Sequence, residues 1–530
     1  MQPVAAASPG RYILIGISFV NLAFFKVWSA LLTYSHSDTY LMKAGATPMD
    51  CAAAIVNTLL WGTLLGLAAF WIEPRLRGRT RVLAEWAFLA ALAVPLNAIR
   101  GVVVIHYPGL RWSALEYSLG VDKALLLVGM IGLVGAVPTV VWRRKLVRGI
   151  AMLLTVLSVF AAFNVVRGVM KAATYNAGLF ANKALAPLLA NARTSPRIVW
   201  VIFDEWDYRL TFRDRIPSLP MPEVDRFAQT SLRASEAYPP SGQTPWSLPA
   251  LTTGHLVREV DAKGPDDLVL LLPPGQKPIH WRAVPTTFSE ARAAGYNVGL
   301  VGFYHPYCRM FANDLSACWW WPTALQYNSM GAGFFQILPN QVRSLFETDS
   351  RSPFGQALAV QEHGRIQRES VRHAVELVRD PRFGFLFLHL AIPHAPYAFD
   401  RRTGRFTSRS PVTGYWDNLI LLDRTVGRLR AAMERAGLWD NSIVLLSADH
   451  WDRSSQLLDG KKEHRIPFLL KMPGQHEGLA FDHPFNTVLS HDLMLALMRG
   501  ELTDAQSVAD WLDRHRTIAD SPYSIDEPPM

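Results

Sequence analysis

The sequence contains few cysteines, and this scarcity excludes two classes of stabilised fold. Only three occur among 530 residues, too few for a disulfide-dense scaffold or a cysteine-rich zinc site. Cys51 opens an apolar run, where we expect an inert thiol. Cys308 and Cys318 are close enough in sequence to close a small loop, but such a bond needs an oxidising compartment. The sequence leaves open whether these two cysteines pair.

A nucleic-acid-binding motif, an internal repeat and a low-complexity tract are also lacking. The net charge of +9 alone would favour nucleic acid or an anionic surface as a partner. Much of the basic excess, however, lies in short loops beside apolar runs, a distribution typical of membrane proteins. We therefore expect a membrane location and no nucleic-acid partner.

The chain has two halves of different composition, and its length exceeds what one hydrophobic core usually serves. Residues 1–170 are mostly long apolar runs, whereas residues 196–530 mix charged, aromatic and Pro/Gly-containing segments, as globular enzymes do. The sequence therefore predicts a transmembrane bundle (1–170), a juxtamembrane tether (171–195) and a soluble domain (196–530).

The bundle is predicted to contain five membrane-spanning helices, since spanning takes roughly 20 helical residues. The first run lacks a convincing small-residue cleavage site, which favours a retained helix over a signal peptide. The predicted spans are residues 12–33, 52–72, 83–105, 124–142 and 150–169.

Basic residues are concentrated in two of the loops between these spans. The positive-inside bias places both loops in the cytoplasm, and five spans then leave the soluble domain on the opposite side. The residues concerned are Arg75, Arg77, Arg79 and Arg81, and then Arg143, Arg144, Lys145 and Arg148.

Two charged residues interrupt the apolar runs, Lys26 in the first span and Arg100 near Asn97 in the third. Charges inside a bilayer are costly and often functional. One interpretation is snorkelling or pairing within the bundle. The other is that Arg100 binds a lipid phosphate at the outer leaflet.

Three apolar runs in the soluble half end abruptly in acids or histidines. The run 198–203 ends in Asp204-Glu205, the run 385–388 ends in His389, and the run 443–448 ends in Asp449-His450. Such runs, separated by helical patterns, predict an α/β domain whose mostly parallel sheet is covered by helices on both faces. Ligands bind beyond the carboxyl ends of such strands.

These strand-end residues are candidate metal ligands. Asp204, Asp449 and His450, with the hydroxyl of Thr244, would supply oxygens and one nitrogen. That set suits Zn²⁺ or Mn²⁺, with Mg²⁺ or Ca²⁺ as alternatives. A lone strand-end carboxylate is more often a helix cap or an ion-pair partner, so the Asp449-His450 pair is the stronger signal.

Several ordered segments over roughly residues 196–500 resemble the alkaline phosphatase superfamily, specifically its sulfatase-like branch. The resemblance implies an alkaline-phosphatase-like fold and a divalent metal site. The segments that carry it are residues 198–205, 287–298, 385–397, 423–450, 464–470 and 490–493.

The departures from sulfatases concern the nucleophile. Sulfatases use a cysteine that is oxidised to formylglycine and followed by proline and arginine two and four residues later. Counted back from Thr253-Gly254, this chain carries Thr244, Trp246 and Leu248 at those positions. The family's Gly-Lys-Trp-His is residues 302–305 here and lacks the lysine. We therefore do not expect ordinary sulfatase chemistry.

A threonine nucleophile instead resembles the phosphoethanolamine transferases and the lipoteichoic acid synthases. Those families also place about five transmembrane helices before an extracytoplasmic catalytic domain. The resemblance implies a bacterial inner-membrane protein with a periplasmic catalytic domain, a membrane lipid as donor and an envelope glycan or lipid as acceptor. Those families usually have glutamate where Asp204 stands, so Glu205 is an alternative ligand. The several cysteine pairs of the phosphoethanolamine branch are missing.

The predicted mechanism begins with Thr244, which attacks a phospholipid headgroup to give a phosphothreonine. His394 or His389 would then protonate the leaving group and activate the acceptor, although a packed core histidine is the favoured interpretation for His389. Candidate substrate-binding residues are His305, Lys461, His464 and Arg100, and His305 could equally be a loop histidine that faces water. The alternatives are a hydrolase of phosphate or sulfate esters on envelope glycans or lipids, and an inactive membrane scaffold or sensor.

Overall fold

The computed structural model describes residues 8–516 with several gaps. The gaps are residues 34–35, 44, 108–121, 124–125, 127–129, 131–138, 181–182, 323–332, 346–352, 409, 412 and 462. Most of the predicted fourth span, 124–142, therefore lies outside the described residues.

The first half is helical throughout its described part. Its helices are α1 (Pro9–Ala23), α2 (Phe25–Leu32), α3 (His36–Leu41), α4 (Pro48–Ile72), α5 (Gly78–Ala91), α6 (Ala93–His106), α7 (Arg143–Val156) and α8 (Ser158–Ala173).

The described residues do not confirm the predicted five membrane-spanning helices. Among the described residues, three helical stretches are long and apolar enough to cross a membrane, namely Pro48–Arg75, Gly78–Val103 and Arg143–Ala173. The predicted first span is broken at Phe24 into α1 and α2, which are bent by 64° and make a fourth span only if counted together. A bundle of five is thus not confirmed, but membrane anchoring by these helices is consistent with the structure.

Glycines bring α1 and α4 into close contact. A Cβ built on Gly16 would lie 2.1 Å from the carbonyl oxygen of Gly62, and one on Gly66 would lie 2.6 Å from the Cα of Ile13. Such small residues let the backbones of membrane helices approach each other. Asn164 of α8 adds a hydrogen bond from its Nδ2 to Oδ1 of Asn21, 3.1 Å away.

The two basic loops lie at the same end of the bundle, because both contact Glu85. Arg143 Nε donates to Glu85 Oε2 at 2.7 Å, and Arg81 Nε lies 3.5 Å from Glu85 Oε1. This arrangement agrees with the sequence-based expectation that both loops are on one side of a membrane.

The second half is an α/β domain. Its strands are β1 (Arg197–Phe203), β2 (Leu232–Ala234), β3 (Ala237–Tyr238), β4 (Glu259–Gly264), β5 (Asp267–Leu271), β6 (Ile279–His280), β7 (Val298–Phe303), β8 (Ala317–Trp321), β9 (Phe385–Leu390), β10 (Phe399–Asp400), β11 (Arg405–Phe406), β12 (Ser442–Ala448), β13 (Phe468–Lys471), β14 (Leu479–Phe481) and β15 (Phe485–Asn486). Its helices are α9 (Pro222–Gln229), α10 (Thr244–Thr253), α11 (Thr287–Ala293), α12 (Tyr307–Met310), α13 (Phe334–Ser344), α14 (Pro353–Val378), α15 (Gly414–Arg435), α16 (Gln456–Asp459), α17 (Ser490–Arg499) and α18 (Ala505–His515).

The main sheet has eight strands in the order β14-β2-β13-β12-β1-β9-β7-β8. Strands β12, β1, β9, β7 and β8 are parallel, but β13 runs antiparallel to both of its neighbours. The sheet is therefore mixed, which corrects the prediction of a mostly parallel sheet. The parallel centre is the part that carries the strand-end acids and histidines.

Both faces of the sheet are covered, as continuous apolar strands require. Along β1, Trp200 and Ile202 face a core shared with α10, α11, α17 and α18. Val199, Val201 and Phe203 face a second core shared with α9, α14 and α15. All seven residues of β1 are buried, so its carboxyl end is held rigidly between two helical layers.

The two halves contact each other through α13, which packs on α4. Asn57 Nδ2 donates to the carbonyl oxygen of Leu338 at 3.1 Å, and Gln341 Nε2 donates to the carbonyl oxygen of Asp50 at 2.9 Å. The α/β domain is thereby fixed near the amino-terminal end of α4.

Cys308 and Cys318 form a disulfide between α12 and β8. Closing a loop of this length stabilises the folded state by about 3 kcal/mol in the chain-entropy model. We expect the double substitution Cys308→Ser/Cys318→Ser to lower the melting temperature and to make the wild-type response to dithiothreitol disappear. The measurement is a thermal unfolding scan with and without reductant, and Cys51→Ser serves as the control. A double variant that melts like the wild type would contradict this expectation.

Candidate active site

Three strand ends meet at one edge of the parallel centre. β1 lies between β9 and β12, with Ile202 opposite His389 and Phe203 opposite Ala448. Asp204, His389 and Asp449 therefore converge, and one ligand atom from each lies within 4.8 Å of the others. All three side chains are fully buried.

His450 and Thr244 complete this group, which we call the strand-end cluster (Asp204, Thr244, His389, Asp449 and His450). His450 Nε2 lies 3.5 Å from Asp449 Oδ2 and 3.8 Å from Asp204 Oδ1. His389 Nε2 lies 3.7 Å from Asp204 Oδ2. The structure thus brings together the four predicted metal ligands and adds His389, which the sequence placed among the acid–base candidates.

Thr244 is the first residue of α10, with Pro245 following in the first turn. Its Oγ1 lies 3.1 Å from His450 Nε2 and 3.5 Å from Asp204 Oδ1. Pro245 has no N–H, and the N–H groups of Trp246 and Ser247 donate to the Gln243 carbonyl oxygen, but the helix dipole favours negative charge at this end of the helix. The hydroxyl therefore stands where an anionic phosphoryl group would be stabilised.

The strand-end cluster fits a divalent metal ion. Asp204 Oδ2, Asp449 Oδ2 and His389 Nε2 are buried and have no hydrogen-bond partner among the described residues. Two buried carboxylates side by side are costly unless a cation compensates them. Carboxylate, imidazole and hydroxyl donors suit Zn²⁺ and Mn²⁺. The residues that would hold the ion are those of the strand-end cluster.

The two carboxylates have opposite pKa shifts. Burial, together with the neighbouring charge of Asp204, raises the pKa of Asp449 to about 7. Burial also acts to raise the pKa of Asp204, but His394, His389 and His450 outweigh it and hold that pKa well below its usual range. Asp204 is thus the permanent negative charge of the cluster.

Glu205 is turned away from the strand-end cluster. Its carboxylate accepts from Nη2 of Arg453 at 2.9 Å, and its backbone has a positive φ of 63°. A non-glycine residue rarely adopts this conformation. The Tyr415 hydroxyl donates to the Glu205 carbonyl at 2.8 Å and holds the turn. Of the two predicted alternatives, Asp204 is therefore the one that lies among the other ligands. Arg453 was not among the predicted site residues, although a basic residue three positions after the predicted ligand His450 could have indicated a partner for a nearby carboxylate.

His394 lies at the mouth of the site. Its side chain is 24% exposed, and its Nε2 is 3.9 Å from Glu205 Oε1. Burial acts to lower the pKa of His394, but the carboxylates of Glu205 and Asp204 raise it above its usual value. A partly exposed imidazole whose pKa is raised by the carboxylates of Glu205 and Asp204 suits a general acid. His389, by contrast, has no access to solvent.

The remaining predicted binding residues are dispersed. His464 stacks on Trp451, with ring centroids 4.1 Å apart, and so lies beside His450. Lys461 pairs with Asp214 at 3.3 Å on the surface. Arg100 donates to Asn97 Oδ1 at 2.9 Å within α6, as the pairing interpretation expects. His305 is fully buried behind Thr244, so it has no exposed atom with which to grip a substrate.

Comparison with solved structures finds matches of low sequence identity and low TM-score. A sulfatase from Pseudoalteromonas sp. is 16% identical, with 58% of this chain and 68% of that chain covered and a TM-score of 0.39. A putative sulfatase from Bacteroides fragilis is 16% identical, with 60% and 79% covered and a TM-score of 0.38. A phosphonate monoester hydrolase of Agrobacterium radiobacter is 14% identical, with 57% and 74% covered and a TM-score of 0.37.

Comparison with curated protein sequences finds no match. The sequence model of the Sulfatase family, however, matches residues 196–499. This match spans more than half of the 530 residues and includes every member of the strand-end cluster.

Proposed function

The chain belongs to the sulfatase family, and on that premise we propose that it is a membrane-anchored phosphotransferase. It moves a phospholipid headgroup, of the phosphoethanolamine or phosphoglycerol type, through a Thr244 intermediate onto an extracytoplasmic glycan or lipid. The observation that carries this proposal is the Thr244 hydroxyl, 3.1 Å from His450 Nε2 at the family's nucleophile position. Threonine cannot be converted to formylglycine by oxidation of a thiol, but it can carry a phosphoryl group.

In the first half-reaction Thr244 Oγ1, as the alkoxide whose proton has passed to solvent, bonds to phosphorus, and the bond from phosphorus to the diacylglycerol oxygen breaks. A divalent metal in the cluster would lower the pKa of the threonine hydroxyl and neutralise charge on the phosphoryl oxygens. The positive end of the α10 helix dipole favours the negative charge of those oxygens. His394 donates the proton that the diacylglycerol oxygen needs in order to leave.

The second half-reaction reverses these roles. His394, now neutral, takes the proton of an acceptor hydroxyl, the acceptor oxygen bonds to phosphorus, and Thr244 leaves as the alkoxide with which the cycle began. Arg453 and Glu205 hold His394 in this position through a continuous charged contact.

Substitution of His394 by Gln is expected to lower the turnover number about 100-fold.

A periplasmic location of the catalytic domain, outside a bacterial inner membrane, has two supports. The basic loops converge on Glu85, as expected for a multi-pass protein whose cytoplasmic loops are basic. The Cys308–Cys318 disulfide lies in the α/β domain, and disulfides persist in oxidising compartments. A phospholipid of the outer leaflet is then the nearest donor.

Hydrolysis with water as acceptor is the second candidate, and family membership favours it because the sulfatase family consists of hydrolase-type enzymes. Sulfate esters and phosphate esters are both candidate substrates of such a hydrolase. An inactive scaffold is the weakest alternative, because it would leave the unpartnered oxygens of Asp204 and Asp449 without a reason.

The test is incubation of the full-length protein with a headgroup-labelled phospholipid in an envelope extract. We expect the label to appear first on Thr244, detected by mass spectrometry, and then on a glycan or lipid. Release of all label as a free water-soluble phosphoester would instead establish the hydrolase. A Thr244→Ala variant that transfers label as fast as the wild type would overturn both.

A further inference from the structure

A segment from the membrane half reaches the back of the nucleophile. The first extracytoplasmic loop, residues 33–47, joins α2 to α4 and contains α3. Tyr40, on α3, is only 3% exposed and belongs to the core of the α/β domain. The chain therefore places a tyrosine from before the second membrane helix inside a domain that begins near residue 196.

Tyr40 makes specific polar contacts there. Its hydroxyl lies 2.7 Å from His305 Nδ1, and its backbone carbonyl accepts from Nη2 of Arg309 at 3.0 Å. Arg309 is 1% exposed, and no residue in the described part of the chain hydrogen-bonds to Nε or Nη1 of its guanidinium. Such a buried cation is costly to leave without partners, so the Tyr40 carbonyl matters for its accommodation.

The loop is also held at its far end. Lys43 Nζ lies 3.7 Å from the ring centroid of Trp321, and the guanidinium carbon of Arg365 lies 4.0 Å from the same centroid. Cations over an indole face are attracted by the negative face of its π system. The Lys43 contact places the loop against Trp321 of β8, whose ring also packs on Arg365 of α14.

His305 connects Tyr40 to Thr244. It is fully buried, and its Nε2 lies 3.4 Å from the main-chain carbonyl oxygen of Thr244. A carbonyl oxygen only accepts, so Nε2 is the donor in this contact, and Nδ1 of the neutral ring accepts from the Tyr40 hydroxyl. The ring is held edge-on by Trp281, with centroids 4.8 Å apart.

We propose that Tyr40 is a positioning residue for the nucleophile, acting through His305 on the first turn of α10. The effect of Tyr40 on catalysis by Thr244 rests on the proposed function, whereas its effect on the local structure does not. The first extracytoplasmic loop is thus a structural part of the catalytic site, and the membrane half does more than anchor the domain.

The test uses the full-length protein in detergent and compares Tyr40→Phe with Tyr296→Phe. Tyr296 is also fully buried, but its hydroxyl has no hydrogen-bond partner within the part of the chain that the structure describes, so its substitution is the matched control. Loss of one hydrogen bond is expected to raise amide hydrogen exchange about fivefold in peptides covering 243–250 and 303–311 of Tyr40→Phe alone. Unchanged exchange in these peptides, or an equal rise in Tyr296→Phe, would overturn the proposal.

A kinetic cycle tests the same path with a soluble phosphodiester such as bis(p-nitrophenyl) phosphate. Tyr40→Phe is expected to lower kcat about fivefold with KM unchanged, and to have no further effect in a His305→Ala background. An undiminished effect of Tyr40→Phe in that background would show that Tyr40 does not act through His305. If Thr244→Ala keeps its activity while the exchange result holds, the proposed function fails and the positioning contact stands.

Discussion

The substitution Thr244→Ala is expected to abolish phosphoryl transfer, with a loss of at least about 1,000-fold in kcat/KM, because no other nucleophile replaces it. Thr244→Ser keeps a hydroxyl at the same place and is expected to retain measurable turnover. In the wild type without acceptor, mass spectrometry should find a phosphoryl adduct on the peptide that contains Thr244. Neither the adduct nor its turnover should be found in Thr244→Ala.

Thr230 supplies the matched control, since it is a partly exposed threonine at the end of α9 with only local hydrogen bonds. Thr230→Ala should react like the wild type and melt at nearly the same temperature. Retention of more than a tenth of wild-type activity by a folded Thr244→Ala protein would mean that phosphorus is attacked by water or another group. The covalent mechanism would then be wrong, although the metal site could still be correct.

Asp204, Asp449 and His450 could be predicted because the sequence changes from apolar to polar residues where a buried parallel strand ends. Val201, Ile202 and Phe203 cannot tolerate exposure, so the chain turns polar only where β1 leaves the core. The same holds for β12 before Asp449. Strands that pair in parallel expose these ends at one edge, so a linear pattern was enough to bring together residues far apart in sequence.

The direction of β13 could not be predicted in this way. Its residues, Phe468–Lys471, form an apolar run like that of β1. An apolar run does not indicate the direction in which its strand lies in the sheet. Antiparallel pairing with β12 arises because the intervening segment 449–467 is too irregular to supply a full crossover helix. The break between α1 and α2 at Phe24 could not be predicted either, since neither a proline nor a glycine stands at that point of the sequence.

The contact of Tyr40 with His305 lies beyond any sequence pattern. The two residues are 265 positions apart and belong to parts of the chain that composition assigns to different environments. A loop histidine facing water was one interpretation of His305, because its buried hydrogen-bond partner, Tyr40, lies in the membrane half of the chain. The spacing of residues along the sequence cannot predict a contact between two parts of the chain that lie far apart. Tyr40 and His305, which lie behind the nucleophile, make such a contact.

Removal of the metal is expected to lower the melting temperature of the wild type by about 10 °C. A ligand at about 1,000 times its Kd stabilises the folded state by roughly 4 kcal/mol, and each kcal/mol shifts the melting temperature of a domain this size by about 2–4 °C. The measurement is thermal unfolding of the full-length protein after exhaustive chelation, followed by addition of Zn²⁺ or Mn²⁺. Re-addition of the preferred ion should restore the original melting temperature.

The substitution Asp449→Asn separates the metal effect from simple loss of structure. Without metal, Asp204 and Asp449 repel each other in a buried site, so the metal-free variant should be at least as stable as metal-free wild type. Added metal should raise its melting temperature little, because one charged ligand is gone.

Asp440→Asn is the matched control, because Asp440 precedes the opposite end of β12 and its replacement leaves the cluster intact. An Asp449→Asn protein that binds the ion as tightly as wild type would remove this carboxylate from the metal site. The unpartnered oxygens of Asp204 and Asp449 would then require a buried proton in place of an ion.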